Sequence, residues 1–235
     1  MKRIVNTTMG LLALLVVTAS CDDGRLYADR LIIPEEGRVV KLTATLEGLE
    51  TWSDGYSIVL AGFEDGSDYT VIAKPVQAAG DGTVDIIMSG VSEEVTTLEL
   101  CAINRIRKRV ATYYELDCST VSDDTIRIDA GRLDVGMFAT IQQDIFDRTC
   151  TGCHGEGRWL DLSAGASHRT LVDQPSTVFE GRMRVLPGSA AESVLYTILT
   201  TGESADLGTD HQTQFTLSEE QFALIGDWID DGAKE

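Results

Sequence analysis

The chain changes its hydrophobic periodicity near residue 132. Between residues 39 and 129, apolar and polar side chains alternate in short runs, as in residues 42–46 (Leu-Thr-Ala-Thr-Leu), and glycine-containing turns separate the runs. Alternation with a period of two is typical of half-buried β-strands. The pattern predicts seven strands: Val39–Leu46, Tyr56–Phe63, Tyr69–Val76, Gly82–Met88, Val95–Ile103, Arg109–Leu116 and Thr125–Asp129.

Seven short strands at this spacing favour an antiparallel sandwich of immunoglobulin-like shape. We place this all-β domain at residues 38–132. The segment contains no histidine and no arrangement of side chains that indicates catalysis. Its one basic cluster, between Arg105 and Arg109, is typical of a solvated hairpin tip in an otherwise acidic protein.

Residues 133–235 show helical periodicity instead. A first helix is predicted from apolar residues at positions i, i+3, i+7 and i+8, namely Phe138, Ile141, Ile145 and Phe146. A second helix is predicted from Ser189 and a third from Ser218, because Glu192 and Gln221 complete capping-box patterns three residues later. The expected fold class is therefore two domains, an all-β sandwich followed by an all-α domain.

The most specific motif, Cys150-Thr151-Gly152-Cys153-His154, lies where the first predicted helix ends. Cys-x-x-Cys-His is the attachment signature of covalently bound c-type haem. Two thiols at this spacing can add to the two vinyl groups of one porphyrin, and the next residue presents an imidazole to the iron. A zinc site would need a second pair of ligands, and no later cysteine exists. We therefore predict one haem c per chain, bound by Cys150 and Cys153, with His154 as a metal ligand.

The N-terminus has the features of an export signal. Two basic residues precede an apolar run over residues 9–17, which is shorter than the roughly 20 residues that a membrane-spanning helix needs. Residues 17–21 (Val-Thr-Ala-Ser-Cys) resemble the lipobox of bacterial lipoproteins, although Thr18 stands where that family prefers Leu. The resemblance implies a signal peptide at 1–20, a lipidated Cys21 and a tether at 21–37. Ordinary cleavage nearby, with Cys21 left free, is the alternative.

Both interpretations export the chain, to the periplasm or the cell surface, where c-type haem is attached in bacteria. Five cysteines are present, and Cys101 and Cys118 remain after the lipid and the haem are assigned. A hairpin that turns between Arg105 and Lys108 places Cys101 opposite Thr112, so a disulfide with Cys118 would need a bulge or a return strand. We leave that pairing open.

Charge excludes one class of partner. The formal net charge is −19, and a chain this acidic does not bind nucleic acid through its phosphates. Its expected partners are a redox partner protein, which the sequence does not identify, and a membrane reached through lipid at Cys21.

Residues 133–235 resemble a class I mono-haem cytochrome c domain, in particular small bacterial domains with recurring short motifs. The resemblance implies that the first and last helices cross beside the haem, with Phe146 and Trp228 near that crossing. After the haem motif, it rests on residues 160–162 (Leu-Asp-Leu), 184–188 (Arg-Val-Leu-Pro-Gly), 193–196 (Ser-Val-Leu-Tyr), 217–220 (Leu-Ser-Glu-Glu) and 227–233 (Asp-Trp-Ile-Asp-Asp-Gly-Ala).

The chain departs from that family at the sixth iron ligand. The family places a methionine shortly before the terminal helix, and no methionine follows Met183 here. His211 occupies that stretch, and imidazole is a good iron ligand. We therefore predict His154 and His211 as the two axial ligands. Met183, His168 and an open sixth position are the alternatives.

The function that these features predict is an exported, lipid-anchored mono-haem c-type cytochrome that carries single electrons. An electron carrier is favoured over a catalyst, although the sequence leaves enzymatic activity open. One alternative is a haem enzyme or small-ligand sensor with an open sixth site. Another is a partner-binding lipoprotein in which the haem is accessory.

Overall fold

The computed structural model describes residues 37–204 and 208–235. The described residues belong to one compact unit, Glu36–Glu235. The predicted signal peptide, Cys21 and nearly all of the predicted tether lie outside the described residues. In the described part of the chain, no helix is both long enough and apolar enough to cross a membrane.

Seven strands form two sheets, with the order β4-β1-β7 in one and β3-β2-β5-β6 in the other. Their bounds agree with the predicted strands to within a few residues. The strands are β1 (Arg38–Glu47), β2 (Tyr56–Phe63), β3 (Thr70–Pro75), β4 (Thr83–Val91), β5 (Thr97–Asn104), β6 (Arg109–Asp117) and β7 (Thr125–Asp134).

The alternation in the sequence determines which face of each strand is buried. On β1, every second side chain from Val40 to Leu46 is buried. These residues share one hydrophobic core with side chains of the other sheet such as Leu98 and Leu100. Because apolar side chains from both sheets meet in that core, the two sheets form a β-sandwich.

The immunoglobulin-like topology that we predicted is wrong. In an immunoglobulin constant domain, the first strand shares a sheet with the second, fifth and fourth strands. Here β1 lies between β4 and β7, and it runs antiparallel to β4 but parallel to β7. Alternation predicts a buried face but not the neighbouring strand, since strand order depends on how the connections cross the sandwich.

The two cysteines of the sandwich are free thiols on different faces of a sheet. Cys101 pairs with Thr112, as the hairpin spacing predicted, and it packs in a cluster with Val59 and Phe63. Cys118 instead lies in the core between the sheets. The two thiols are therefore not bonded to each other. Burial raises the pKa of the Cys101 thiol well above its usual range.

After β7 the chain forms short helical segments joined by loops. Single 3₁₀ turns also occur at Leu49–Thr51 and Ala190–Glu192. The helices are α1 (Met137–Ile141), a π-helical stretch (Gln142–Cys150), α2 (Thr151–His154), α3 (Ser167–Leu171), α4 (Val194–Thr200), α5 (His211–Gln214) and α6 (Glu219–Asp230).

The predicted all-α domain, and with it the predicted membership of the class I mono-haem cytochrome c family, is wrong. The longest described α-helix, α6, has 12 residues, whereas α4 has seven and α5 has four. The structure is a β-sandwich followed by a few small helices rather than a sandwich joined to a large helical domain. Periodicity predicts that a stretch is helical, but the turns of the loops between these stretches limit how long each helix becomes.

Two of the three predicted helices begin or continue differently from the prediction. The first widens into a π-helix after Ile141. The second has its N-cap at Ser193 rather than Ser189, and no side chain caps it. The third is confirmed, because Ser218 and Gln221 form the capping box that starts α6.

The start of the helical region is fixed against the sandwich by a tight joint. The N–H of Met137 donates to Thr51 Oγ1 at 2.8 Å, and Trp52 Nε1 donates to the Val135 carbonyl at 2.6 Å. Gly48 lies in this joint with a φ of 82°, and a Cβ added to it would come within 2.5 Å of the Gly136 Cα. The close approach therefore requires glycine at position 48.

We expect Gly48→Ala to destabilise the protein far more than Gly66→Ala. Both glycines have positive φ, but a Cβ at Gly66 meets nothing within 4 Å. Gly66→Ala should therefore lower the free energy of unfolding by only about 1 kcal/mol, the penalty for a side chain in the left-handed conformation. Gly48→Ala adds a backbone clash and should lower it by at least about 2 kcal/mol. Urea unfolding of the two variants measures the difference, and equal losses would show that the joint is not tightly packed.

Candidate cofactor site

One helical turn presents the residues of the Cys-x-x-Cys-His motif. Cys150 ends the π-helical stretch, and Cys153 and His154 belong to α2, which follows directly. Positions i, i+3 and i+4 share a helix face, so the two thiols and the imidazole lie on one side of the chain. The turn ends at Gly155, where a Cβ would lie 2.7 Å from the Thr151 carbonyl oxygen. Glycine at this position lets the chain leave the helix immediately after His154.

That face opens into a cavity of about 380 Å³ with mostly apolar walls. Cys150, Cys153, His154 and His211 all line it, so the structure brings together every predicted site residue in its described part. Its other lining residues are Ile145, Phe146, Thr149, Trp159, Leu160, Leu162, Ser176, Val178, Phe179, Arg184, Val194, Leu195, Ile198, Leu199, Ser204, Thr209, Phe215 and Leu217.

His211 reaches the cavity as the first residue of α5. Asp210 caps this short helix by accepting from the Gln212 N–H at 3.1 Å. The Gln212 side chain donates to the Thr200 carbonyl at the end of α4, at 2.8 Å. The cap fixes the start of α5, and the Gln212–Thr200 contact holds α5 against α4, so that His211 stays at the cavity wall.

The hydrogen bonds of His211 determine which of its nitrogens can bind a metal. Its Nδ1 lies 3.1 Å from the Thr209 carbonyl oxygen and 3.1 Å from Ser204 Oγ. A carbonyl oxygen only accepts, so the contact with Thr209 favours the tautomer with the proton on Nδ1. The Nε2 atom then has a free lone pair, as a metal-binding imidazole requires.

The ring of His154 lacks the hydrogen bond that such an imidazole normally makes. Its Nδ1 is buried and has no hydrogen-bond partner among the described residues. The Leu160 backbone lies close enough to the ring to affect its pKa, but it forms no hydrogen bond with Nδ1. Burial, followed by the neighbouring His211, lowers the pKa of His154, and the Leu160 backbone offsets part of this effect. Both causes favour the neutral imidazole, which is the form that binds iron.

The two imidazoles lie at a separation that suits one shared metal ion. Their ring centres are 6.2 Å apart, and their planes are inclined by 25°. Two metal–nitrogen bonds of about 2 Å each, with the distance from each nitrogen to its ring centre, give about 6 Å between ring centres. The separation of the ring centres is therefore compatible with both imidazoles binding one metal ion.

The chemistry of the donor set favours haem over a bare metal ion. The described residues contain no group of three or more His, Cys, Asp or Glu side chains that could hold a metal ion. Two imidazoles supply only two ligands, and a porphyrin supplies the four nitrogens that complete six-coordinate iron. The paired thiols and the apolar walls fit a covalently attached haem.

The other proposed sixth ligands do not line the cavity. The Nε2 atom of His168 is 2.8 Å from the Ala233 carbonyl oxygen, and its ring packs against Phe138 and Trp228. Met183 is 37% exposed and pairs with Pro175 in an isolated β-bridge. Neither residue is therefore placed to share a metal ion with His154.

The two aromatic residues expected near the crossing of the first and last helices have different neighbours. Trp228 of α6 stacks on Phe138 of α1, with ring centres 5.0 Å apart, so it lies where the two helices meet. Phe146 lines the cavity, whereas Trp228 does not. Both side chains belong to the hydrophobic core of the helical region.

The two thiols differ in their surroundings. Cys153 is exposed, whereas Cys150 is half-buried. Burial, with a smaller effect from Cys153, raises the pKa of Cys150 to about 11. The neutral thiol is therefore the resting form of Cys150, and Cys153 lies on the accessible side of the cavity.

Sequence reasoning missed two polar residues of this site. Ser204 is almost fully buried, and its Oγ accepts from the His211 N–H at 3.1 Å. Arg184 is the only arginine or lysine among the described lining residues. A single serine or arginine in a loop carries no periodic or motif signal, so only the structure shows that these side chains reach the cavity.

Comparison of the chain with models of known protein families gives no match, and comparison with curated proteins gives none. The interpretation of the cavity therefore rests on its own geometry.

Proposed function

We propose that this protein binds one haem c covalently in the described cavity and transfers single electrons through it. The observation that carries the proposal is that both thiols and two imidazoles line one apolar cavity, with ring centres 6.2 Å apart. A chance Cys-x-x-Cys-His sequence on a surface would have no cavity and no second imidazole. The proposal concerns cofactor chemistry and not membership of the class I cytochrome c family.

Each part of the site has a physical role in this function. Cys150 and Cys153 would hold the porphyrin, and His154 and His211 would bind its iron. Haem iron, when bound, supplies a one-electron couple whose potential depends on its axial ligands and on burial. The apolar side chains around the cavity exclude water, and the packed helices limit movement when the charge of the site changes.

The state of His211 favours electron transfer over catalysis or sensing. An enzyme or a sensor needs an open iron position for its substrate or ligand. The proton on Nδ1 leaves the Nε2 lone pair of His211 free, at a spacing that suits the same iron. Both axial positions are then filled by the protein, and the exposed Cys153 and Trp159, which is 63% exposed, mark the side open to a redox partner.

Export and anchoring remain proposals from the sequence alone. Residues 1–21 have the features of a lipoprotein signal, and Cys21 is the proposed lipid attachment site. The proposed location, on the membrane facing the periplasm or on the cell surface, is the compartment in which bacteria attach c-type haem.

Covalent attachment is the direct test of the proposed cofactor. Expressed with haem-maturation proteins, the wild-type chain should keep its haem through denaturing electrophoresis. Cys150→Ala combined with Cys153→Ala should lose it, because the two thioether bonds can no longer form. Cys101→Ala combined with Cys118→Ala is the matched control, since neither thiol lines the cavity. A wild-type protein without haem mass, or with zinc instead, contradicts the proposal.

The second prediction concerns His211 and the serine that positions it. His211→Ala should convert low-spin iron to high-spin iron that binds carbon monoxide. Ser204→Ala should stay low-spin but bind carbon monoxide about fivefold faster, since one buried hydrogen bond contributes about 1 kcal/mol. Visible spectra and stopped-flow binding measure both effects.

Thr213→Ala is the control for these variants, because Thr213 lies on α5 and donates to Asp210 without lining the cavity. If the His211→Ala protein stays low-spin, another residue is the sixth ligand. If the wild-type protein is already high-spin and binds carbon monoxide readily, a haem enzyme or sensor becomes the better interpretation.

A further inference from the structure

An ion pair outside the cavity holds the chain next to Ser204. Arg182 Nη1 donates to Glu203 Oε2 at 2.8 Å, and both side chains are partly buried. Neither residue is among the described lining residues of the cavity. Glu203 nevertheless directly precedes Ser204, which does line it. The pair can therefore influence the cavity only through the residues that it holds in place.

Thr197, on α4, completes a closed set of hydrogen bonds around this pair. Its Oγ1 accepts from Arg182 Nη2 at 2.6 Å and donates to Glu203 Oε1. Partial burial would raise the pKa of Glu203, but the hydrogen bonds from Thr197 and Arg182 lower it overall. The carboxylate is therefore charged at neutral pH, and both of its oxygens have a partner.

Arg182 also contacts the wall of the cavity from outside. Its guanidinium lies over the Phe179 ring, 5.4 Å from the ring centre, and Phe179 lines the cavity. Its backbone N–H donates to the Phe179 carbonyl at 3.2 Å. Arg182 thus ties one wall of the cavity to α4 and to the turn that follows α4.

The residues on both sides of Glu203 contact α5. On one side, Ser204 Oγ accepts from the His211 N–H at 3.1 Å and lies 3.1 Å from the His211 Nδ1 atom. On the other side, Gly202 has a φ of 69°, and a Cβ added to it would lie 2.8 Å from Gln212 Oε1. A displacement of Glu203 would therefore disturb the contacts that hold His211.

We propose that Arg182 and Glu203 are positioning residues for the sixth iron ligand. Their ion pair fixes the turn at Glu203, and Ser204 carries this constraint to His211. The inference rests on the proposed function, because it requires His211 to bind the iron. A guanidinium suits this role, since its planar donors hold a carboxylate and a hydroxyl in one fixed arrangement.

The test is the rate at which carbon monoxide binds to the reduced holoprotein, measured by stopped flow. Carbon monoxide can bind only after His211 leaves the iron, so this rate reports how firmly His211 is held. Arg182→Gln and Glu203→Gln should each remain low-spin and bind about fivefold faster, the size expected when a partly exposed, charge-assisted hydrogen bond is lost.

The double variant Arg182→Gln/Glu203→Gln should bind carbon monoxide no faster than either single variant, because both changes remove the same interaction. Arg182→Lys should keep part of the slow wild-type rate, because it retains the charge but not the planar fork. A double variant whose two effects multiply would show that the residues act independently, which contradicts the proposed pair.

Lys108→Gln is the matched control. It breaks the ion pair with Glu220, whose two side chains are 25% and 18% exposed, against 29% and 28% for Arg182 and Glu203. This pair joins the sandwich to α6, and neither residue is among the described lining residues of the cavity. Lys108→Gln should therefore lower the free energy of unfolding but leave the rate of carbon monoxide binding unchanged.

The effect of Arg182 should disappear when His211 is absent. In the His211→Ala protein the sixth position is already open, so adding Arg182→Gln should not change the rate of carbon monoxide binding. If Arg182→Gln still accelerates binding in that protein, Arg182 limits entry to the cavity past Phe179, and its positioning role is overturned.

The outcomes separate this inference from the proposed function. If the wild-type chain carries no covalent haem, or if His211→Ala stays low-spin, the proposed site is overturned and this inference with it. If His211 is the ligand but Arg182→Gln and Glu203→Gln match Lys108→Gln, only the positioning role is overturned. If Arg182→Gln does not fold, Glu203→Gln and Arg182→Lys give the same readout, and wild-type rates in both overturn the inference.

Discussion

The hydrogen bond from His211 Nδ1 to the Thr209 carbonyl is the interaction on which the proposed site depends. It favours the tautomer with the ring proton on Nδ1, which leaves the lone pair on Nε2 available to a metal. The Oγ atom of the nearly buried Ser204 accepts from the His211 backbone N–H, and Gln212 ties α5 to the end of α4. Without these contacts the second imidazole would be a loop side chain with no fixed orientation.

The sandwich contributes to the site by fixing where the helical region starts. Thr51 and Trp52, just after the end of β1, hydrogen-bond to Met137 and Val135 beside the start of α1. Farther along, Lys108 pairs with Glu220 at 2.6 Å, which joins the β5–β6 hairpin to α6. Because the helices are short, these contacts and the hydrophobic core of the helical region hold them in place, rather than helix length.

Local features of the fold could be predicted from the sequence, and long-range ones could not. The strand bounds, the Cys101–Thr112 register and the Ser218 capping box depend on residues close together in the chain. The position of β1 between β4 and β7, the π-helical stretch before Cys150 and the packing of Trp228 on Phe138 depend on contacts between distant segments. The family resemblance failed for the same reason, since short motifs do not specify helix lengths or their arrangement.

The candidate site shows the same division. Cys150, Cys153 and His154 lie within five consecutive residues and form a known motif, so they were found from the sequence. His211 was found through the absence of a later methionine. Ser204 and Arg184 are single polar residues, and they become part of the site only because the loops that carry them fold against the cavity.

The most direct test is an anomalous difference map of the matured protein, recorded at the iron absorption edge. The account predicts one iron peak per chain, lying between the rings of His154 and His211 and within about 2 Å of a nitrogen of each. Its porphyrin should be bonded to the sulfurs of Cys150 and Cys153. An iron peak bound by only one of these imidazoles would contradict the bis-histidine site, and the absence of iron from the cavity would contradict the account as a whole.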